Sequence, residues 1–434
     1  MAHSEPAKRL VIVGGGVAGV EIASTLGRRW RGEDESPSIT LVDRESAHVW
    51  KPMLHTIAAG TRDISQQQTA YLAQARDAGF AYRPGELCGL DREAREICLA
   101  AQHAPDGRLL VPPSRLGYDV LVLATGSQAN DFGTPGVAEH CWHIDSRRQA
   151  DHFNREVRIR LLQSLTQESS LHIAIVGGGA TGVELAAELV QMVEAVTAYG
   201  ARGLHERINI TLIEAGPRLL AGFPEDISSA TRTRLEAIGI KVLTDAQVSA
   251  ATPDAFILKN GDELLATLKV WAAGVKGPDF LADLDGLETN RNNQLLVKPT
   301  LQTTRDPAIY AVGDCASLTP EGAERPLPPT AQVAHQQAKY LVDALPRAMR
   351  GETVRDFRYR DMGALVSLAD YDAFGSLGQF GLFNGTTFRG RLAQISHLML
   401  YRSHQARIHG FWKGGLLWLV DRLNSRVRAP IRLD

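Results

Sequence analysis

Residues 11–23 read VIVGGGVAGVEIA, and residues 174–187 read AIVGGGATGVELAA. Each stretch begins with a β-branched apolar run that predicts a strand and ends in an apolar-periodic run that predicts a helix. A glycine-rich turn between a strand and a helix is typical of a dinucleotide site, because the helix N-terminus offers free amide donors to a pyrophosphate. The repeat therefore predicts two dinucleotide sites in one chain.

In the first repeat, Gly14, Gly16 and Gly19 form a GxGxxG motif. The first glycine of such a motif permits a tight turn, the second lets the backbone approach the pyrophosphate, and the third lets the helix pack closely on the strand. Asp43 ends the next predicted strand, 24 residues after Gly19. A carboxylate there can accept hydrogen bonds from ribose hydroxyls, which completes the pattern of a dinucleotide site.

The second repeat carries the same motif in Gly177, Gly179 and Gly182, and Glu214 ends its following strand, 32 residues after Gly182. Glu214 would bind the adenosine ribose and repel a phosphate on it, which favours NADH over NADPH. Arg218, four residues further on, is weak support for a phosphate. We therefore expect NADH at this site.

Glu184 lies two residues past Gly182, where the sequence predicts the first turn of the phosphate-binding helix. An acid there could orient a nicotinamide ring or relay a proton. Alternatively, it is a first-turn carboxylate stabilised by the helix dipole, and Glu21 holds the same place in the first repeat. Both interpretations stay open on the sequence alone.

The order of predicted elements indicates an α/β fold. Buried strands end in small-residue turns in YDVLVLATGS (118–127), LKVWAAGV (268–275) and AIYAVGDCAS (308–317), and MGALVSLADYDAFGSLG (362–378) has the pattern of a β-hairpin. In a flavin domain, the turn at Gly313 and Asp314 could bind the ribityl chain and the pyrophosphate. We predict two Rossmann-like dinucleotide-binding domains, one inserted in the other, and a C-terminal amphipathic helical region. The expected ranges are 1–145 with 290–375, 146–289, and 376–434.

Charge is distributed unevenly along the 434 residues. The net charge is −2, which excludes a generally basic nucleic-acid binder. From Thr386 to Asp434 nine basic and two acidic residues give +7, against −9 for the rest of the chain. A basic tail on an acidic body is typical of a surface that meets a partner, and anionic lipid is one candidate.

The four cysteines show neither a CxxC motif nor metal-ligand spacing, which favours reduced thiols in a cytoplasmic protein and no metal site. The N-terminal residues MAHSEPAKRL run directly into a predicted strand, so we expect no signal peptide. The longest apolar run of the tail, residues 414–420, is far shorter than the ~20 residues that span a membrane.

Five further segments give the chain a family resemblance. They are HVWKPMLHTIAAG (48–60), GGGATGVELAAEL (177–189), LIEAGPRLL (212–220), VWAAGVKGP (270–278) and LPPTAQVAHQQAKYL (327–341). Together with the two glycine repeats, they make the chain resemble the type II NADH dehydrogenases. These are non-proton-pumping NADH:quinone oxidoreductases of the respiratory chain, within the flavoproteins that have two dinucleotide-binding domains.

The resemblance implies FAD in the discontinuous domain and NADH in the inserted one, with hydride passing to the flavin and electrons then to a quinone. It places FAD at Gly14, Gly16, Gly19, Asp43, Lys51, Thr125, Gly126, Gly313 and Asp314. It places NADH at Gly177, Gly179, Gly182, Glu184, Glu214, Ala273 and Gly274. The AQVAHQ residues implied at the flavin and the quinone head-group are Ala331, Gln332 and Gln336.

The resemblance also implies a peripheral protein on the cytoplasmic side of the membrane, docked through its tail. Residues that fit this role are Trp412, Trp418, Arg422, Arg426 and Arg428. The alternative is a dimerisation or domain-capping helix, and we expect a homodimer. The tail histidines His397, His404 and His409 are expected to be polar-face residues.

Other functions remain as alternatives. A sulfide:quinone oxidoreductase needs paired cysteines at the flavin, and Cys141 has no obvious second member because no cysteine follows Cys315. A disulfide reductase needs a CxxxxC motif, which the sequence lacks. A binding protein regulated by flavin and NADH is not excluded by the motifs.

Overall fold

Two parallel sheets carry the two glycine-rich repeats. The computed structural model describes residues 7–33, 36–62, 68–104, 106–201, 203–376 and 387–427, with side chains to residue 424. The first sheet has five strands and the second has four, and all neighbouring strands in both are parallel. This arrangement confirms the predicted α/β class.

Residues 7–145 contain the first repeat and several short hairpins. The strands are β1 (Arg9–Val13), β2 (Ser38–Asp43), β3 (Ala47–Val49), β4 (Gln68–Ala70), β5 (Ala81–Pro84), β6 (Glu86–Asp91), β7 (Glu96–Ala100), β8 (Gln102–His103), β9 (Leu109–Val111), β10 (Ser114–Gly117), β11 (Val120–Leu123) and β12 (Gln128–Ala129). The helices are α1 (Val17–Trp30), α2 (Leu54–Ala59), α3 (Tyr71–Ala78) and α4 (Val137–His140), with a 3-10 turn at Lys51–Met53.

Residues 146–289 contain the second repeat. The helices are α5 (Arg147–Gln167), α6 (Ala180–Ala198), α7 (Leu204–Arg207) and α8 (Glu225–Ala237), with a 3-10 turn at Asp279–Asp283. The strands are β13 (Leu171–Val176), β14 (Ile208–Ile213), β15 (Lys241–Leu243), β16 (Val248–Ala251), β17 (Ala255–Leu258), β18 (Glu263–Leu265), β19 (Leu268–Trp271) and β20 (Val275–Lys276). A capping box between Ser146 and Gln149 fixes the start of α5.

The remaining residues return to the first sheet and end in two helices. The strands are β21 (Leu295–Leu296), β22 (Ile309–Ala311), β23 (Ala316–Ser317), β24 (Ala364–Leu368), β25 (Asp372–Ser376) and β26 (Thr387–Arg389). The helices are α9 (Ala331–Met349), α10 (Arg391–His409) and α11 (Phe411–Val427), with a 3-10 turn at Gly313–Cys315. The hairpin predicted at 362–378 is confirmed, because β24 and β25 pair antiparallel.

The strand order places both glycine loops at the edge of a sheet where a ligand can reach them. The first sheet has the order β22-β11-β1-β2-β5, and the second has the order β15-β14-β13-β19. In each sheet the glycine-loop strand is internal and buried, which suits its run of apolar residues. Ligands in such sheets bind at the carboxyl ends of the strands, so both glycine loops open at the expected edge.

The strand β22 joins the first sheet after the second repeat, as the predicted insertion of one domain in the other requires. The hairpin β24–β25 lies almost entirely in the range 290–375, which is assigned to the first domain. However, its residues Val366, Leu368 and Phe374 pack in the core of the second sheet. The boundaries 1–145 with 290–375, 146–289, and 376–434 therefore stay predictions.

Candidate active site

The first glycine loop joins β1 to α1. Gly14 has φ of +101°, and a Cβ there would lie 2.2 Å from the Ala124 carbonyl oxygen. A Cβ at Gly19 would lie 1.8 Å from the Gly14 carbonyl oxygen, so helix and strand pack too closely for a side chain. A Cβ at Gly16, in contrast, would meet nothing within 4 Å. The loop is closed toward the protein and open at Gly16, which fits the close approach of a pyrophosphate.

The second glycine loop repeats this geometry. Gly177 has φ of +116°, and a Cβ there would lie 2.6 Å from the Ala272 carbonyl oxygen. A Cβ at Gly182 would lie 2.0 Å from the Gly177 carbonyl oxygen, whereas one at Gly179 would meet nothing within 4 Å. Both repeats therefore build an open cradle at the N-terminus of a long helix.

Asp43, which ends β2, and Glu214, which follows β14, each accept a hydrogen bond from a backbone N–H of the neighbouring glycine loop. Asp43 accepts hydrogen bonds from the N–H groups of Gly15, at 2.6 Å, and Glu45, at 2.7 Å. Glu214 accepts one from the N–H of Gly178 at 2.7 Å. Burial raises the pKa of Asp43, and the two backbone donors oppose that rise. Each acid thus fixes the middle glycine of its loop.

Three polar side chains form a hydrogen-bonded chain at the carboxyl end of the first sheet. Lys51 Nζ donates to the Ser127 carbonyl oxygen at 2.9 Å and to its hydroxyl at 3.1 Å. The Ser127 hydroxyl donates to Asp314 Oδ2 at 2.8 Å. The structure therefore brings together Lys51 and Asp314, which the sequence could only propose separately. Sequence reasoning missed Ser127, although it directly follows Thr125 and Gly126.

Two further turns complete this edge of the first sheet. Gly126 has φ of +73°, and a Cβ there would meet nothing within 4 Å. Gly313 also has φ of +73°, and its N–H donates to Gln337 Oε1 at 2.6 Å. Gln337 is buried and was missed by sequence reasoning. Its helical spacing from the apolar residues Val333 and Leu341 was the available signal that it faces inward.

Ala273 and Gly274 follow β19 at the carboxyl end of the second sheet. Gly274 has φ of +75°, and a Cβ there would lie 2.7 Å from Cζ of Phe132. The next strand, β20, pairs antiparallel with β12. The turn at Ala273 and Gly274 therefore lies where the second sheet meets β12, the short strand that follows β11 of the first sheet.

Glu184 lies in the second turn of α6, because that helix begins at Ala180. The prediction of a first-turn carboxylate is therefore wrong, and the dipole effect falls off within the first turn. Glu184 Oε1 accepts a hydrogen bond from the Ser367 N–H at 3.0 Å. Its Oε2 lies 3.4 Å from His55 Nδ1, and its Oε1 lies 3.9 Å from His397 Nε2. The carboxyl group thus connects α6 with α2, β24 and α10.

Burial sets the protonation of this cluster. It raises the pKa of Glu184 to about 8 and that of Glu188, one turn further along α6, to about 7. It lowers the pKa of His55 to about 3 and also lowers that of His397. At neutral pH the contact between Glu184 and His55 therefore joins two uncharged groups and is not an ion pair.

The equivalent acid of the first repeat, Glu21, is also buried. Its Oε2 lies 2.9 Å from His335 Nδ1 and 3.4 Å from Arg407 Nε. The matching acids of the two repeats thus both contact α10, Glu21 through Arg407 and Glu184 through His397. The helix α10 consequently covers both nucleotide-binding units.

The AQVAHQ residues begin α9. Thr330 caps this helix by accepting a hydrogen bond from the Val333 N–H at 3.3 Å. Gln332 accepts from the Met362 N–H at 3.0 Å, and Gln336 accepts from the Arg360 N–H at 3.0 Å. Their amide groups also donate, to Tyr359 OH at 3.0 Å and to the Arg360 carbonyl oxygen at 2.7 Å. Both glutamines therefore hold the 359–363 segment against the start of α9, beside Ala331.

The tail histidines do not form an exposed polar face, so that expectation is wrong. His404 is 1% exposed, and His397 and His409 are partly buried. The side chain of His409 lies 3.1 Å from Thr69 Oγ1. Helical periodicity alone could not show that the first sheet and its helices cover this side of α10.

The outer surface of the tail exposes apolar side chains instead. Trp412 is 86% exposed, and Trp418 lies 5.6 Å below the guanidinium of Arg422. The other exposed apolar residues of α10 and α11 are Leu392, Ile395, Met399, Leu400, Phe411, Leu416, Leu419, Val420 and Leu423. Of the predicted docking residues, Arg428 and the side chain of Arg426 lie outside the described residues.

The described residues contain neither a membrane-spanning helix nor a cluster of metal ligands. In this part of the chain no helix has the length and apolar character needed to cross a membrane. Over the same residues no three His, Cys, Asp or Glu side chains are grouped to hold a metal ion.

Comparison with known proteins gives the family. The pyridine nucleotide-disulphide oxidoreductase family matches residues 8–338. A type II NADH:quinone oxidoreductase of Haemophilus influenzae is 40% identical over 445 residues, covering 98% of this chain and all of the relative. The chain therefore belongs to the pyridine nucleotide-disulphide oxidoreductases and, within them, to the type II NADH:quinone oxidoreductases. This membership confirms the expected enzyme class, a flavoprotein that uses FAD and NADH.

Solved structures agree on the fold. NDH2 from Plasmodium falciparum in complex with NADH has a TM-score of 0.82 at 19% identity, covering 99% of this chain and 100% of that one. The sulfide:quinone oxidoreductase of Aquifex aeolicus has a TM-score of 0.72 at 19% identity, covering 93% and 92%. Both likenesses support the two Rossmann-like domains.

Replacing Glu184 by Gln should change how stability depends on pH. The folded-state pKa of Glu184, about 8, lies above its ordinary value of 4.5, so the native state binds this proton more tightly than the unfolded chain. The stability that Glu184 contributes to the wild type therefore falls as pH rises from about 4.5 to about 8. Relative to the wild type, the melting temperature of Glu184→Gln should rise through this window and level off above it, as measured by thermal denaturation.

The matched control is Glu93→Gln, at an exposed acid of the turn between β6 and β7. Its melting temperature should follow that of the wild type at every pH. A melting-temperature difference, variant minus wild type, that stays constant or falls as pH rises from about 4.5 to about 8 would contradict the burial of an uncharged Glu184.

Proposed function

We propose that this protein oxidises NADH and passes the electrons through FAD to a membrane quinone, without pumping protons. The observation that carries the proposal is the pair of open glycine cradles, at Gly16 and at Gly179, on two separate sheets. Two cradles suit two dinucleotides held at once. The family to which the chain belongs consists of NADH:quinone oxidoreductases, which supports the same pairing of substrates.

FAD is assigned to the first sheet. Beyond the cradle at Gly16, only this edge adds the hydrogen-bonded chain of Lys51, Ser127 and Asp314 among the described residues. These polar groups suit the ribityl hydroxyls and the pyrophosphate of a flavin dinucleotide. When bound, FAD supplies a two-electron acceptor that NADH can reduce and a quinone can oxidise. The full proposed set is Gly14, Gly16, Gly19, Asp43, Lys51, Thr125, Gly126, Gly313 and Asp314.

NADH is assigned to the second sheet. Gly177, Gly179 and Gly182 form its cradle, and Glu214 lies beside the cradle with its carboxylate on the Gly178 N–H. A carboxylate at this place accepts hydrogen bonds from the ribose hydroxyls of NADH. It would repel the additional ribose phosphate of NADPH, so NADH is favoured. Ala273 and Gly274 would close the other side of the site.

Glu184 is proposed to act from the same helix. Its buried carboxyl group holds a proton at neutral pH, with the His55 ring and the Ser367 N–H fixing its orientation. An uncharged carboxyl group can donate a hydrogen bond to a ring amide or hand on a proton, whereas a carboxylate could only accept.

The quinone head-group is proposed to lie beside Ala331, Gln332 and Gln336. Both glutamine side chains hold the backbone of residues 360–362, so their contribution is to shape the wall of this site as well as to offer amide groups. Amides suit a quinone carbonyl because they contain both a donor and an acceptor.

The tail is proposed to bind an anionic membrane surface from the cytoplasmic side. Trp412, Leu416, Leu419 and Leu423 recur at helical spacing along α11 and are all exposed. An exposed apolar helix face flanked by basic residues suits the boundary between lipid head-groups and acyl chains. The alternative is that this apolar face of α11 is buried against a second copy of the chain in the expected homodimer.

Sulfur chemistry at paired cysteines is disfavoured. Burial raises the pKa of Cys141 to about 12, so it stays a thiol, which is a poor nucleophile. Cys315 is buried, with its Sγ 3.3 Å from the Val312 carbonyl oxygen and 3.4 Å from that of Leu123. The likeness to a sulfide:quinone oxidoreductase therefore reflects the shared fold.

Replacing Gln336 by Ala should slow quinone reduction and leave flavin reduction by NADH unchanged. The substitution removes two hydrogen bonds to Arg360, worth about 1–3 kcal/mol together, so kcat/KM for quinone should fall about tenfold. Anaerobic stopped-flow spectroscopy measures both half-reactions, first with NADH and then with a soluble quinone. Gln163→Ala, at an exposed site on α5, is the control. Equal loss of both half-reactions would reject the quinone role.

Replacing Trp412, Leu416 and Leu419 together by Ser should release the protein from anionic liposomes. Inserting apolar side chains contributes roughly 1.5–3 kcal/mol each, so the triple variant should lose on the order of a thousandfold or more in liposome affinity. Co-sedimentation with phosphatidylglycerol vesicles measures this. The pair Ile159→Ser and Leu162→Ser, at exposed apolar sites on α5, is the control.

Unchanged sedimentation of the triple variant would refute docking through α11. Conversion of a dimer to a monomer, with liposome binding retained, would assign the face to a second copy of the chain. Analytical ultracentrifugation of the same variants separates these results.

A further inference from the structure

The Gly15 carbonyl oxygen, in the middle of the first glycine loop, accepts two hydrogen bonds from side chains outside the loop. Tyr71 OH donates at 2.8 Å and His48 Nδ1 donates at 2.8 Å. The described residues contain no cis peptide, and the C=O and N–H of a trans peptide point in opposite directions. Fixing the Gly15 carbonyl therefore also fixes the direction of the Gly16 N–H, which belongs to the same peptide plane. Gly16 is the open position of the cradle.

His48 is held in turn by His404 of α10. The two Nε2 atoms lie 2.8 Å apart, and both rings are buried. Burial lowers the pKa of His48 to about 4 and lowers that of His404 as well, so both rings are neutral. Because the Gly15 carbonyl can only accept, the hydrogen of His48 lies on Nδ1, and His48 Nε2 must accept. His404 consequently donates from its Nε2.

The ring of His404 is itself packed in place. Trp50 stacks on it with a centroid distance of 6.0 Å and an interplanar angle of 21°. Trp50 also contacts Tyr401, one turn earlier in α10, at 5.3 Å between ring centroids. A continuous path of contacts thus runs from α10 to the peptide that precedes the open glycine.

The second loop fixes the equivalent peptide without help from the tail. The Gly178 carbonyl oxygen accepts a hydrogen bond from the backbone N–H of Leu220 at 2.8 Å. Leu220 belongs to the segment that directly follows Glu214, within the second repeat. The two loops have nearly the same sequence, yet only the first depends on a residue of α10 among these contacts.

We propose that α10 is a positioning element of the FAD site: His404, acting through His48, orients the Gly15–Gly16 peptide toward the FAD pyrophosphate. The inference rests on the proposed assignment of FAD to the first loop. His404 and His48 are positioning residues that need not touch the cofactor. The C-terminal helices therefore serve FAD binding as well as the outer surface of the protein.

The test compares cofactor affinities of His404→Leu and His404→Gln. His404→Leu removes the donor to His48 and should raise the dissociation constant for FAD roughly three- to tenfold, the range for one neutral hydrogen bond. His404→Gln keeps an N–H donor and should stay within about twofold of the wild type. The dissociation constant for NAD+ should be unchanged in both. FAD binding to apoprotein is followed by flavin fluorescence, and NAD+ binding by calorimetry on the holoenzyme.

Two controls separate a specific path from general loosening of the tail. His409→Leu removes a contact of the same helix with Thr69 and should leave FAD affinity unchanged. Tyr71→Phe removes the other donor to the Gly15 carbonyl without touching α10 and should weaken FAD binding as His404→Leu does. Should His404→Leu not fold, His404→Asn, which is too short to reach His48, takes its place.

Three results would overturn the proposal: unchanged FAD affinity in His404→Leu, equal weakening in His409→Leu, or equal weakening of FAD and NAD+ binding. Gly16→Val distinguishes this failure from that of the proposed function. A Gly16→Val protein that retains FAD removes the assignment of FAD to the first loop. Loss of FAD in Gly16→Val with no change in His404→Leu removes only the role of α10.

Discussion

Both nucleotide-binding units are built on the close packing of a helix start against a strand end. At Gly19 and at Gly182 a Cβ would lie 1.8 and 2.0 Å from the carbonyl oxygens of Gly14 and Gly177. This approach sets each helix N-terminus at the carboxyl edge of its sheet, where its amide groups face a ligand. The strand-end acids, the open glycines and the turns at that edge all take their positions from it.

The same local geometry is used for two different purposes because the surroundings differ. The first loop lies next to Lys51, Ser127 and Asp314, while the second has Glu184 in a buried cluster with His55. Such differences come from elements that are distant in sequence but meet at one sheet edge. The helix α10 contacts both units: His404 reaches the first loop through His48, and His397 contacts Glu184 of the second unit.

Sequence predicted the features that local pattern determines. Both glycine motifs, the strand-end acids and the 362–378 hairpin follow from residue spacing, and the structure has each motif in its predicted strand–turn–helix setting. Ser127, Gln337 and His48 were missed because their roles depend on contacts between distant segments. Glu184 was placed one turn too early, because the start of a helix after a glycine loop is not sharply marked in sequence. The tail histidines were misjudged because periodicity shows which residues share a face but not what covers it.

If two similar loops hold two different dinucleotides at once, Gly179→Val should separate the two sites. This substitution fills the open position of the second cradle only. The measurement is anaerobic bleaching of the flavin absorbance, first with NADH and then with dithionite. We expect a yellow protein that keeps its FAD, is no longer bleached by NADH and is still bleached by dithionite. Loss of FAD from this variant, or bleaching by NADH at the wild-type rate, would contradict it.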